Sequence, residues 1–417
     1  VRDRTGVLMA DAQRRPETRL LFAFVSAVVA LIAAFAAVGS TIPLFNIYRA
    51  QDHFTNGAIA LTVVAYSVGT IGTLLVLGRL SNYVGRRAAA VTALAVLVAG
   101  CVVLLNVHAI GVLVAGRLLM GLGAGMASSS LAAYIVDTAP KRPAWLASVA
   151  SSQTVMLGLA VGAIGSGALV QFAPWPRQLA YLVAIALLVM SAVLIVLSPE
   201  TVTKASFVWS SLRPSVRVPP QVRPLLPVAA AVILPTWATG AFYQAFVPAL
   251  VEDQLHTKSP LILGLVFAAY MAPSVFGAPV GHRFKPATAQ RIGMAAFLLG
   301  WAGLITANAT GALPLFLVAT IVAGVGQGIA ISAVTHGLVS GSNITERAAI
   351  FTVIFLLSYT GATIPSLIAG KLSAVVSVPQ IAVGYAVLAL IGTAYTTAFA
   401  KNPVAELVSV SKGSRYA

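Results

Sequence analysis

The chain has 417 residues, of which 59% are hydrophobic and only 9% charged, and its mean hydropathy is +0.94. A soluble protein carries roughly a quarter charged residues, so composition excludes an ordinary water-soluble fold. The net charge of +16 would suit a nucleic-acid binder, but the cations lie scattered in loops and form no stripe, and no nucleic acid is expected as a partner. The single cysteine, Cys101, sits in an apolar stretch, which leaves no disulfide framework and no cysteine metal site.

Apolar runs of the length that spans a bilayer, about 20 residues, recur from end to end. Twelve membrane helices are predicted. The first six lie at 20–42, 58–77, 88–107, 110–134, 147–170 and 178–197. The second six lie at 225–248, 262–280, 292–309, 313–335, 348–368 and 381–400. Internal prolines such as Pro235, Pro273 and Pro365 are tolerated in membrane helices. The chain opens on a polar stretch of about 19 residues followed by a run too long for a signal-peptide core, so no cleavable signal is expected.

Lysine and arginine give the predicted orientation. Twelve spans put both termini on one side, and 21 of the 26 cations fall there. Arg49, Arg177, Lys258 and Lys371 fall on the other side, and Arg117 lies within a span. This asymmetry predicts cytoplasmic termini.

The sequence also repeats at an offset near 200 residues. Gly121-x-Gly123-x-Gly125 in the fourth span pairs with Gly324-x-Gly326-x-Gly328 in the tenth, and Gly158 pairs with Gly361. Gly78 pairs with Gly277, and Arg49-x-x-Asp52 has its counterpart in Glu252-Asp253. Two six-helix halves, 1–198 and 225–417, are predicted around a cytoplasmic linker, 199–224. The linker is basic and proline-rich, and Phe207 and Trp209 point to contact with lipid headgroups.

Between the second and third spans runs Gly78-Arg79-Leu80-Ser81-Asn82-Tyr83-Val84-Gly85-Arg86-Arg87. This stretch resembles the signature between helices 2 and 3 of the major facilitator superfamily, twelve-helix secondary transporters. The usual acidic residue of that signature is Asn82 here, which brings no charge. Asp137, at the cytoplasmic end of the fourth span, is the candidate partner of Arg86 or Arg87 in a cytoplasmic gate. Arg117-Leu-Leu-Met-Gly121-Leu-Gly123-Ala-Gly125 resembles the helix-4 signature of the family's drug–proton antiporters, with Met120 for the usual glutamine. The resemblance implicates Arg117 in proton coupling. A cation at mid-membrane costs roughly 2.5–3.5 kcal/mol on insertion scales, so Arg117 needs either a function or a route to the surface. Gly158-Leu-Ala-Val-Gly162-Ala163-Ile-Gly165-Ser166-Gly167 resembles the antiporter signature of helix 5, with Ala163 for its proline. Small residues four apart also let helices pack closely, and packing explains most of this motif.

In such a family the central cavity is lined by helices 1, 4, 7 and 10, with contributions from 2, 5, 8 and 11. The first group nominates Asn46, Arg117, Ser129, Trp237, Tyr243, Gln244, Gln327 and Ser332 as substrate-binding residues. The second adds Tyr66, Gln153, Tyr270 and Tyr359. The set is aromatic and amide-rich, which suits lipophilic or amphipathic solutes better than phosphates. None of the ten Asp and Glu residues is placed deep in a span, so Asp52 with Arg117 is the best candidate coupling pair, followed by His336.

The sequence therefore predicts an all-α, monomeric, multi-pass protein of the bacterial inner membrane that exchanges small organic molecules for protons, with no cofactor and no metal. An uptake carrier for a metabolite such as a sugar or organic acid is the alternative. No HExxH or GxSG motif and no intramembrane carboxylate pair supports an enzyme.

Overall fold

A hydrocarbon solvent leaves backbone groups no partner but each other, so apolar runs of this length fold as helices. A computed structural model describes residues 2–140, 142–143, 146–202, 220, 222–281, 283–340 and 344–402. Among the described residues all regular structure is helical, and twelve helices are long and apolar enough to cross a membrane. They are α1 (Thr18–Gln51), α2 (Asn56–Leu77), α3 (Arg86–Leu104), α4 (Ile110–Thr138), α5 (Gln153–Phe172) and α6 (Leu179–Leu197). The second half holds α7 (Arg223–Ala245), α8 (Pro260–Gly281), α9 (Pro286–Thr310), α10 (Leu313–Val339), α11 (Ile350–Leu372) and α12 (Val378–Phe399). Large apolar side chains such as Val189 and Val193 on α6, or Val387 and Ile391 on α12, stay exposed where a lipid-facing surface needs them. Most of the predicted linker, with Phe207 and Trp209, lies outside the described residues.

Two spans are each prolonged by a separate short helix. The helix of α1 breaks at the turn Ile42–Leu44 and resumes as Phe45–Gln51, and α7 is followed by Val247–Asp253. Pro43 and Pro248, at equivalent places, lack the N–H that would continue the ladder. Both extensions project at the end of the bundle remote from the termini, called the far end below.

The predicted repeat is visible in the packing. Thr55 caps α2 by accepting from Ala58 N at 3.2 Å, and Ser259 caps α8 by accepting from Ile262 N at 3.2 Å. A Cβ at Gly121 of α4 would stand 2.1 Å from the Tyr66 carbonyl oxygen of α2. At the equivalent place, one on Gly324 of α10 would stand 2.4 Å from the Tyr270 oxygen of α8. The glycine pattern thus fixes the same helix pair in each half.

The turn between α2 and α3 is built around Gly85, whose φ of +97° belongs to a region that only glycine occupies readily. The Glu200 carboxylate, just past α6, accepts from Arg86 N at 2.8 Å and Arg87 N at 3.1 Å. An anion at the free N–H groups of α3 complements the helix dipole. A Cβ on Gly85 would stand 2.6 Å from Glu200 Oε2. Gly85→Ala should therefore lower stability by about 1–3 kcal/mol, read as a fall in melting temperature of the detergent-purified protein. Glu200→Gln should show a smaller loss of about 1 kcal/mol. An unchanged melt in Gly85→Ala would mean that the turn relaxes freely.

Candidate functional site

Arg117 is the centre of the candidate site. It lies seven residues into α4 from the far end, about 10 Å along the axis, and is completely buried. Its guanidinium lies over the Tyr66 ring of α2, 4.7 Å from the centroid. Nη1 donates to the Val38 carbonyl of α1 at 3.3 Å, and Nη2 donates to Gln244 Oε1 of α7 at 3.0 Å. The last bond crosses from one half to the other. Nε is buried without a partner. The ring face, the carbonyl and the amide disperse the charge, and no carboxylate takes part.

Asp52 is not that carboxylate, contrary to expectation. It pairs with Arg177, at 2.7 Å from Nη2 and 3.3 Å from Nη1, at the far-end surface. Asp52 terminates the α1 extension, whereas Arg117 lies two turns down α4, so the two belong to different depths. Arg177 also donates to Gln51 at 3.0 Å and to the Val107 carbonyl, and it lies over the Tyr48 ring.

At the far end the halves are joined by polar contacts. Asn46 Nδ2 donates to the Pro248 carbonyl at 2.8 Å. Arg49 reaches Asp253 at 3.1 Å and Glu252 at 3.5 Å. Gln171 of α5 accepts from Leu261 N at 3.3 Å and from the Ser259 hydroxyl. A Cβ at Gly57 would stand 2.6 Å from the Gly370 oxygen of α11. The far end is closed. Arg49-x-x-Asp52 and Glu252-Asp253 are counterparts in the sequence repeat, and the fold makes Arg49 bind its counterpart's acids.

At the opposite end, Arg86 Nε donates to Asp137 Oδ2 at 2.9 Å, while its Nη1 donates to Ser81 and Asn82 at 2.7 Å each. Thr201 donates to the same Asp137 oxygen at 3.2 Å. Arg87 turns instead to the Val196 carbonyl. The Arg86–Asp137 pair is therefore formed, and it lies inside the first half. Asn82 accepts from Arg86, and the cap of α3 comes from Glu200, which no sequence motif marks.

The nominated pocket residues divide into two groups. Tyr243 and Tyr270 are fully buried, stacked at 4.4 Å between centroids with planes 4° apart. Tyr243 shares a hydrogen bond with Thr320 at 2.7 Å. Tyr270 donates to Gln327 Oε1 at 2.7 Å and to the Thr236 carbonyl at 3.0 Å. These three side chains tie α7, α8 and α10 together as core. Trp237 and Gln244 are half-buried and lie on one face of α7. Trp237 packs against Tyr359 of α11, 5.1 Å between centroids. Ser129 is half-buried and donates to Met126 O of its own helix at 3.0 Å. Gln153 and Ser332 are half-buried, and His336 is exposed near the end of α10. Among the described residues no group of His, Cys, Asp or Glu could hold a metal ion.

This arrangement can do two things chemically. It can bind a solute in an aromatic and amide setting, and it can link that site to the contact between the halves through Arg117. A 112-residue stretch is 32% identical to the MFS efflux transporter aclA of Aspergillus oryzae (strain ATCC 42149 / RIB 40), covering 27% of this chain and 20% of that protein. The match thus spans about a fifth of that relative's length. The crystal structure of a mutant of the nucleoside transporter NupG superposes with a TM-score of 0.68 at 11% identity, covering 91% of this chain and 100% of that one. That likeness establishes a shared fold. The sequence model of the Major Facilitator Superfamily matches residues 27–366, and with the twelve spans in two halves it makes this chain a multi-pass membrane transporter that belongs to that family.

Proposed function

We propose that the protein is a proton-coupled efflux carrier for lipophilic, drug-like compounds, working by alternating access as a monomer. The observation that carries this reading is the Arg117–Gln244 hydrogen bond at 3.0 Å, which joins a buried cation of the first half to the second. Any parting of the halves at the far end must break it, so the partners available to Arg117 bias the access equilibrium. The helix-4 and helix-5 motifs resemble those of drug–proton antiporters, and one curated relative is an efflux transporter. The cation bias supports a bacterial inner-membrane setting with the far end outside and both termini cytoplasmic.

The test is accumulation of a panel of lipophilic dyes in bacterial cells with and without the protein, each with and without a proton uncoupler. Efflux predicts lower accumulation with the protein, restored by the uncoupler. Higher accumulation of a panel member would reverse the direction, and uncoupler-insensitive transport would remove the proton.

A further inference from the structure

We propose that the site around Arg117, Gln244 and Gly240 takes aromatic carboxylates, with the carboxylate replacing Gln244 on the guanidinium and the ring lying over Gly240 against Trp237. The inference rests on the carrier reading above, and it names the substrate class of the same site.

The first observation is an unbalanced charge. A guanidinium has five N–H donors. Only two bonds are made here, to Val38 and Gln244, and Nε is buried without a partner. The four ion pairs found among the described residues all leave Arg117 out. A buried cation lacking an anion is costly, and a planar fork of donors matches a carboxylate two bonds at a time.

The second observation is that the present partner is exchangeable. Gln244 Oε1 holds the place that a carboxylate oxygen would take, and it accepts from Nη2 as a carboxylate would. Gln244 belongs to the second half, Arg117 to the first. A ligand carboxylate therefore competes with Gln244 for Nη2.

The third observation is a stretch of α7 that close helix packing does not claim, beside an aromatic wall. Gly121 and Gly162 stand close to a neighbouring backbone, as the glycines of tightly packed helices do. Gly240 does not. A Cβ there would meet nothing nearer than Met271 Cε at 3.7 Å and Tyr270 Cε1 at 3.9 Å. Gly240 is half-buried and shares a face of α7 with Gln244 on one side and Trp237 on the other. Trp237 and Gln244 are seven residues apart, about 10 Å along the helix, and Gly240 lies between them. Tyr359 backs Trp237 at 5.1 Å and makes the wall aromatic.

The experiment is equilibrium binding of benzoate, benzamide and acetate to the full chain in lipid nanodiscs, by calorimetry at neutral pH, where benzoate is ionised. The amide keeps ring and shape without the charge, and acetate keeps the charge without the ring. Benzoate should bind about tenfold or more tightly than benzamide, because hydrogen bonds to charged groups on both sides are about twice as strong. It should exceed acetate by a similar factor. Gln244→Glu tethers a competing carboxylate at high effective concentration, so the benzoate-to-benzamide ratio should fall to about one. Gln244→Leu removes the competitor, and the ratio should rise. Gly240→Leu puts a side chain where the ring would lie and should weaken both aromatic ligands together. Melting curves identify folded variants, and the ratio is read only within each of them.

Equal binding of benzoate and benzamide by the wild type, or a ratio untouched by Gln244→Glu, would overturn the proposal. So would acetate binding as well as benzoate. Failure here with uncoupler-sensitive dye efflux intact leaves the efflux reading standing. Selective benzoate binding with no proton dependence in cells does the reverse.

Discussion

Arg117→Ala is expected to abolish proton-driven transport while yielding a folded protein in the membrane. Removing the side chain leaves the Val38 carbonyl, the Gln244 amide and the Tyr66 ring, and no unpaired charge. Insertion becomes easier when a buried cation is deleted. Arg117→Lys keeps the charge and loses the fork. One ammonium cannot serve Val38 on α1 and Gln244 on α7 while lying flat over Tyr66, and a buried lysine can shed its proton. Losing one charge-assisted hydrogen bond costs about 1.5–3 kcal/mol, which is about tenfold to a hundredfold in rate. Dye efflux from proteoliposomes under an imposed pH gradient measures both variants. Wild-type efflux by the alanine variant would reduce Arg117 to a packed side chain. Loss of folded protein in both would make it a structural tie between the halves.

Gly162→Ala should be among the most destabilising single-methyl additions in the chain. Its Cβ would stand 2.0 Å from the Ala36 oxygen and 2.5 Å from the Ala36 Cα, both backbone atoms of α1. A backbone cannot step aside as a side chain can, and overpacking costs about 1–3 kcal/mol or more. The same motif contains its own control. A Cβ at Gly165 would meet nothing within 4 Å, so Gly165→Ala should leave the melting temperature unchanged. Gly158 and Gly167 also pack closely, against Ile32 of α1 and Pro260 at the start of α8. The helix-5 motif that resembles an antiporter signature is thus explained by packing at Gly158, Gly162 and Gly167, and not at Gly165. Equal melting shifts for Gly162→Ala and Gly165→Ala would contradict this division.

The spans were legible because lipid-facing helices must be apolar along their whole length, which hydropathy reads directly. The repeat was legible because each half needs its close approaches at the same helix pairs, as Gly121 with Tyr66 and Gly324 with Tyr270 show. Arg117 stood out by the cost of its charge in an apolar run. Gln244 is legible as a pocket residue but not as its partner, since it lies 127 residues away and an amide carries no such signal. Asp52 was assigned to Arg117 because both are ionisable and near the far end, while the true pair, with Arg177, depends on depths that only the fold sets. Glu200 was passed over for the same reason, as its bonds to Arg86 and Arg87 span more than a hundred residues. Gly240 carries no signal, because a glycine that close packing requires and one that it does not are the same letter.

The most direct test of the account is a distance measured across the far end. Spin labels at Ala50→Cys and Lys258→Cys, both exposed positions, on a Cys101→Ala background place one probe on each half. Pulsed electron resonance on the reconstituted protein then reads the separation with and without an imposed pH change or a transported dye. Alternating access predicts a short distance for the closed far end and a second, longer population that grows under turnover conditions. Arg49→Ala, which removes the contacts to Glu252 and Asp253, should enlarge the longer population in every condition. A single short distance under all conditions, with Arg49→Ala included, would contradict a carrier whose two halves part at this end.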